Sequence, residues 1–92
     1  MTGAAAGLPR VEELEAALRA LLQPTQLEVL DESAAHAGHS GAGPAGWGTH
    51  FRVRVASPLF EGRTRVARHR LVYDAVQPFV ARGLHAIAIE TL

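Results

Sequence analysis

The sequence predicts an α+β domain whose elements run helix, strand, strand, helix, helix, strand. Three observations carry this. Leucines recur at helical spacing early in the chain, Thr49 to Ala56 alternates apolar with polar or basic residues, and a helical stretch separates that strand from a third at Leu84 to Glu90. Two strands joined by a loop pair antiparallel, whereas a strand reached through helix runs parallel to its predecessor if the two are adjacent. The three strands are therefore expected to form a mixed sheet.

The elements follow in order. Residues 1–7 are small and read as a flexible tail. Leu8-Pro9-Arg10 opens a helix, with Pro9 tolerated in the first turn and Glu12, Glu13 and Glu15 near the positive end of the helix dipole. Val11, Leu14, Leu18 and Leu21 form its apolar stripe, which Leu22 widens. Pro24 ends it, because the residue before a proline disfavours helix. Gln26 to Glu32 reads as a strand with Leu27 and Val29 on one face and Glu28 and Leu30 on the other.

Ser33 to Gly48 shows no period and holds five of the nine glycines. A connection of that length in a compact domain is usually functional or disordered. In Thr49 to Ala56, Phe51, Val53 and Val55 oppose His50, Arg52 and Arg54. A one-residue slip would turn arginines into the core, so the register is fixed. Ser57 to Gly62 is a turn. Arg63 to Phe79 reads as helix with Leu71, Val72, Ala75, Val76 and Phe79 buried, and Pro78 is expected to kink or break it. Ala81-Arg82-Gly83 stops the helical segment. In the last strand Leu84, Ala86 and Ala88 oppose His85, Ile87 and Ile89, so both faces are apolar and the strand is expected to be well buried.

Composition narrows the function. With 92 residues, 48% hydrophobic and 20% charged, the chain is a single globular domain rather than a disordered one. No apolar run approaches the roughly 20 residues that span a bilayer. There is no cysteine, so disulfides, thiolate nucleophiles and all-cysteine metal sites are excluded. The start lacks a signal-peptide pattern, and a cytoplasmic location is expected. No serine sits in a nucleophile elbow, and no phosphate-binding glycine motif opens a helix, so no enzyme is expected.

Net charge is zero but unevenly spread. Residues 1–48 carry two arginines and six acids, and residues 49–92 carry seven arginines and three acids. Six of the arginines, from Arg52 to Arg70, fall within nineteen residues. Such a cluster suits an anion-facing surface, although an arginine-rich composition explains it equally.

Several segments occur in an order that is specific. They are Leu27-Glu28-Val29, Asp31-Glu32-Ser33, Thr49-His50-Phe51-Arg52-Val53, Ser57 with Phe60-Glu61-Gly62, Arg68-His69-Arg70-Leu71-Val72-Tyr73 and Leu84-His85-Ala86-Ile87-Ala88. The series closely resembles the BolA family and covers residues 8–92, with a longer loop before Thr49 than the pattern has. The resemblance implies a class II KH-like fold, a three-stranded mixed sheet with helices packed on one face. It also implies a protein that pairs with a monothiol glutaredoxin and shares a [2Fe-2S] cluster, in cluster trafficking or in iron or redox regulation. The alternative it offers is a DNA-binding transcriptional regulator of stress response and cell morphology.

The resemblance makes His85 a cluster ligand and places the second ligand in the glycine-rich loop, at His36 with His39 as substitute. The remaining ligands would come from a glutaredoxin cysteine and glutathione. The isolated chain is then expected to be without cofactor, as a monomer or weak homodimer. His69 is either a structural histidine of a basic helix face or a further ligand or partner contact. His50 reads as a surface or sheet-edge residue. Nucleic-acid contact would rest on Arg63, Arg65, Arg68 and Arg70. The Gly-x-x-Gly clamp of KH domains is missing between the helices; Gly38 to Gly41 and Gly43 to Gly46 match its letters only inside the strand-strand loop.

Overall fold

The computed structural model describes residues 7–36 and 46–92. Its elements are helix α1 (Val11–Leu22), strand β1 (Gln26–Asp31), a 3-10 turn (Ser33–His36), strand β2 (His50–Ala56), a second 3-10 turn (Pro58–Phe60), helix α2 (Arg65–Val80) and strand β3 (Ala86–Thr91). Strand order is β1-β2-β3. β1 and β2 are antiparallel, with Val29 opposite Val53 and Asp31 opposite Phe51. β2 and β3 are parallel, with Phe51 opposite Ile87 and His50 opposite Ala86. The expected mixed sheet is present.

Alternation along β2 decides which face the helices cover. Phe51, Val53 and Val55 are buried with Val29 against Leu14, Leu18 and Leu22 of α1 and Val72, Ala75, Val76 and Phe79 of α2. The opposite face carries a charge ladder. Arg52 donates to Glu32 (2.9 Å) and Glu90 (2.8 Å), and Arg54 to Glu90 (3.1 Å) and Glu28 (3.2 Å). Part of the uneven charge of the two halves of the sequence is zipped together here, because antiparallel pairing sets Glu28 opposite Arg54. Arg52 and Arg54 therefore do not add to an anion-facing cluster.

Four expectations need correction. The helix after Gly62 is not broken at Pro78, so there are two α-helices and not three. Pro78 lies in the last turn, where only the bond to the Asp74 carbonyl is lost and buried Phe79 still anchors the end. Leu21 is 59% exposed; α1 packs along its Leu14-Leu18-Leu22 ridge instead. α1 begins at Val11, after Arg10, whose N–H is accepted by the Glu13 carboxylate at 3.0 Å. β3 is an edge strand with no fully buried residue, since its outer face lacks a covering layer.

Candidate functional site: a paired-histidine end of the sheet

The site begins with a clamp at the neck of the long connection. β1 ends at Asp31, whose carboxylate accepts the N–H of Ser33 through Oδ1 and the N–H of Gly48 through Oδ2, both at 2.9 Å. The Ser33 hydroxyl oxygen is buried and accepts the N–H groups of Thr49 and His50, both at 3.0 Å. The segment thus leaves and re-enters the sheet at one fixed place. Burial pushes the Asp31 carboxyl up. The hydrogen bonds from Ser33 and Gly48, with the nearby His50 ring, outweigh it and hold the group below its ordinary value.

An N-terminal strap braces the same end. Gly48 and Gly83 have φ of +82° and +118°, and both press on Leu8. A Cβ on Gly48 would lie 2.7 Å from Leu8 Cβ, and a Cβ on Gly83 would overlap Leu8 Cδ2. Arg82 completes the strap. It donates to the Gly7 carbonyl at 2.8 Å and grips the Glu13 carboxylate through both terminal nitrogens at 2.8 and 2.9 Å. The hydrogen bond from Arg82 holds the Glu13 carboxyl below its usual range. Arg10 lies over the Trp47 ring, 4.4 Å from its centre.

His85 follows from this framework. Leu84 is buried beneath the turn, and the His85 N–H donates to the Thr49 carbonyl at 2.7 Å, with the Ala86 N–H sharing that oxygen at 3.1 Å. The His85 side chain is exposed. The His50 ring lies 5.4 Å from it, centre to centre, with the planes inclined at 48°. His50 Nδ1 is 3.0 Å from the Thr49 hydroxyl. Thr49 therefore holds one histidine by its carbonyl and the other by its side chain. Beside His85 an apolar groove of about 320 Å³ runs between Tyr73, Val76, Val80, Leu84 and Ile87. A shallower one of about 220 Å³ lies over His50, Glu32 and Ala86.

The other expected residues are dispersed. His36 ends the first 3-10 turn; its side chain, and all of His39, lie outside the described residues. His69 lines a separate groove with Arg65 and the Ile89–Thr91 end of β3. Since a strand advances about 3.3 Å per residue, that is roughly 13 Å along the sheet from His85. Arg65 and Arg68 share one side of α2, while Arg70 is about 140° away around the helix. Arg63 and Arg68 spend one N–H each on main-chain carbonyls, those of Leu59 and Arg63. Among the described residues no three histidine, aspartate or glutamate side chains gather as a metal site. The sequence reading of His50 as a surface or sheet-edge residue did not foresee its ring beside that of His85. Its only signal was the alternation of β2, and that left its neighbour across the parallel pairing unspecified.

Comparison with known proteins places this architecture. Residues 18–92 match the family described as BolA-like protein. The chain is 43% identical to BolA-like protein 1 of Mus musculus over 88 residues, 96% of this chain and 61% of the mouse protein. It thus spans less than two thirds of that relative's length. It is 39% identical to the DNA-binding transcriptional regulator BolA of Escherichia coli (strain K12) over 80 residues, 87% of this chain and 71% of that one. The BolA domain of SufE1 from Arabidopsis thaliana superimposes with a TM-score of 0.78 at 40% identity, covering 89% of this chain and 88% of that one. The sheet order, the clamp at the neck of the long connection and the histidine at the head of β3 therefore sit in a chain that belongs to the BolA-like family.

Proposed function

We propose that the chain is the imidazole-donating half of a heterodimer with a monothiol glutaredoxin, in which the two proteins share a [2Fe-2S] cluster for iron-sulfur trafficking or iron and redox regulation in the cytoplasm. The observation that carries the reading is the exposed His85 ring beside a second imidazole at one end of the sheet. The donor set fits half of a cluster: His85 with a histidine of the 33–48 segment, His36 or His39, would give two imidazole nitrogens, and the chain has no cysteine to complete the coordination. The sulfur ligands would come from a glutaredoxin cysteine and from glutathione. Histidine in place of thiolate raises the reduction potential of such a centre, as in Rieske sites, and makes ligation sensitive to protons. The apolar groove flanking His85 gives a partner something to pack on without burying a charge. Alone, the chain is expected to be cofactor-free and monomeric or weakly dimeric.

The experiment is reconstitution with glutaredoxin, iron, sulfide and glutathione, read by visible circular dichroism. We expect a heterodimer with a cluster spectrum that His85→Ala abolishes. An unchanged spectrum in that variant overturns the reading.

A second reading is kept because the Escherichia coli relative is named a DNA-binding transcriptional regulator. It would use Arg63, Arg65, Arg68 and Arg70. It requires duplex binding by the cluster-free chain whose log affinity falls with log salt by about 0.9 per phosphate neutralised. Loss of that binding in the Arg65, Arg68 and Arg70 triple variant would favour it.

A further inference from the structure

We propose that the N-terminal strap, Gly7 to Arg10, is a clasp that sets His85 against the neck of the 33–48 segment, with Leu8 as its positioning residue. Its role in ligation rests on the cluster-sharing reading above; its hold on the two stretches of chain does not.

Those two stretches come from distant parts of the sequence. One is Trp47 to Thr49, where the 33–48 segment returns to β2; the other is Ala81 to His85, the turn that delivers His85 to β3. The strap ties each of them by an apolar contact and by a cation. On the neck, Leu8 lies against Gly48, and Arg10 lies over the Trp47 ring, 4.4 Å from its centre. On the turn, Leu8 lies against Gly83, and Arg82 reaches back to the Gly7 carbonyl and the Glu13 carboxylate, both at 2.8 Å. Leu8 thus touches both stretches.

The approach is close because glycine stands at both contacts. The space that a Cβ would fill at Gly83 is taken by Leu8 Cδ2. At Gly48 that point is 2.7 Å from Leu8 Cβ and 3.0 Å from the Pro9 carbonyl oxygen. Pro9 is fully buried and has its φ fixed by its ring, which stiffens the strap between its ties.

Leu8 does not serve the core. α1 is held to the sheet by Leu14, Leu18 and Leu22, with Val11 and Ala17 at the margin, and Leu8 stands outside that cluster, half-buried. What it does follows from where it bites. Gly48 precedes Thr49, whose carbonyl accepts the His85 N–H at 2.7 Å, and Gly83 stands two residues before His85. With both glycines pinned by one side chain, that hydrogen bond joins two stretches already brought together, and His85 meets a partner from a fixed place. Pre-ordering of this kind lowers the entropy lost on binding.

The first measurement uses the cluster-free chain. In Leu8→Ala the amide signals of residues 47–49 and 83–86 should shift together and exchange faster with solvent. Those of Leu14, Leu18 and Val53 should stay, and the urea midpoint should change little. Leu8→Met, which refills the space, should restore both groups of signals. Signals that keep their place in Leu8→Ala, or move in one stretch alone, overturn the clasp.

The second measurement uses the reconstituted glutaredoxin complex, followed by visible circular dichroism during incubation with an iron chelator. The cluster should be lost about tenfold faster in Leu8→Ala than in wild type, as for residues that orient a ligand without touching the metal, and Leu8→Met should match wild type. An equal rate in Leu8→Ala overturns the positioning role. If wild type assembles no cluster, the cluster-sharing reading fails, and the clasp stands or falls on the amide signals.

Discussion

The two faces of β2 are made by the same seven residues and behave as opposites. On the inner face Phe51, Val53 and Val55 are at most 2% exposed and hold the sheet to both helices. On the outer face His50, Arg52 and Arg54 meet a partner ring and three glutamates. The inner face has no chemistry, yet it sets the geometry of the other. A one-residue slip would exchange the faces, so burial of three apolar side chains pins the register. That register places His50 against Ala86 and so beside His85. Packing on one side of the strand is the ruler for the spacing of the two rings on the other.

Changes on the inner face should have the largest effect. Phe51→Ala removes a ring that is 2% exposed and should cost about 3–5 kcal/mol, read as a lower urea midpoint. It should also scatter the His50 and His85 amide signals; if they stay put, the ruler is not the core. Next comes the clamp. Asp31→Asn leaves one oxygen to serve two N–H groups, so one of them loses its acceptor, at about 1–3 kcal/mol.

The same residue gives a sign with pH. The folded Asp31 carboxyl is held below its unfolded value, so its contribution is complete above about pH 3.9 and disappears as pH falls through the folded value. An acid titration of stability should be flatter in that window for Asp31→Asn than for wild type.

Gly48→Ala should cost roughly 1–2 kcal/mol for a left-handed φ, with further loss as the new methyl group meets Leu8. Trp47 fluorescence should report the loosened strap. The outer face should yield the smallest change. Arg54→Gln breaks contacts to Glu28 and Glu90 between half-exposed side chains, and its effect should shrink as salt rises. A larger loss there than in Asp31→Asn would erase the distinction between the faces.

What the sequence could disclose divides along the same line. Local period is enough to find β2 and the Leu14–Leu18 line of α1, because each depends on residues two or four positions apart; the antiparallel pair follows from two strands joined by a loop. The ion pairs Arg52–Glu90 and Arg82–Glu13 join residues 38 and 69 positions apart, and no short window contains them. The break expected at Pro78 failed because only two helical residues follow it and one of them, Phe79, is anchored in the core, so the lost bond to the Asp74 carbonyl does not end the helix. His50 was hidden for a related reason. Its own strand is obvious, but its neighbour arrives through α2 in a parallel register that no alternation pattern specifies. The candidate residues Arg63, Arg65, Arg68 and Arg70 are adjacent in sequence, yet the helix turns Arg70 away from Arg65 and Arg68.

The Asp31 carboxylate ties the outgoing and returning strands before the long excursion begins. Through its hydroxyl oxygen Ser33 also takes the N–H groups of Thr49 and His50, so the start of β2 is fixed at the neck itself. Lengthening the connection between these ties should cost only about 0.6 kcal/mol of chain entropy per doubling and leave the sheet register intact. The neck thus lets the sheet keep its register whatever the length of the excursion it closes.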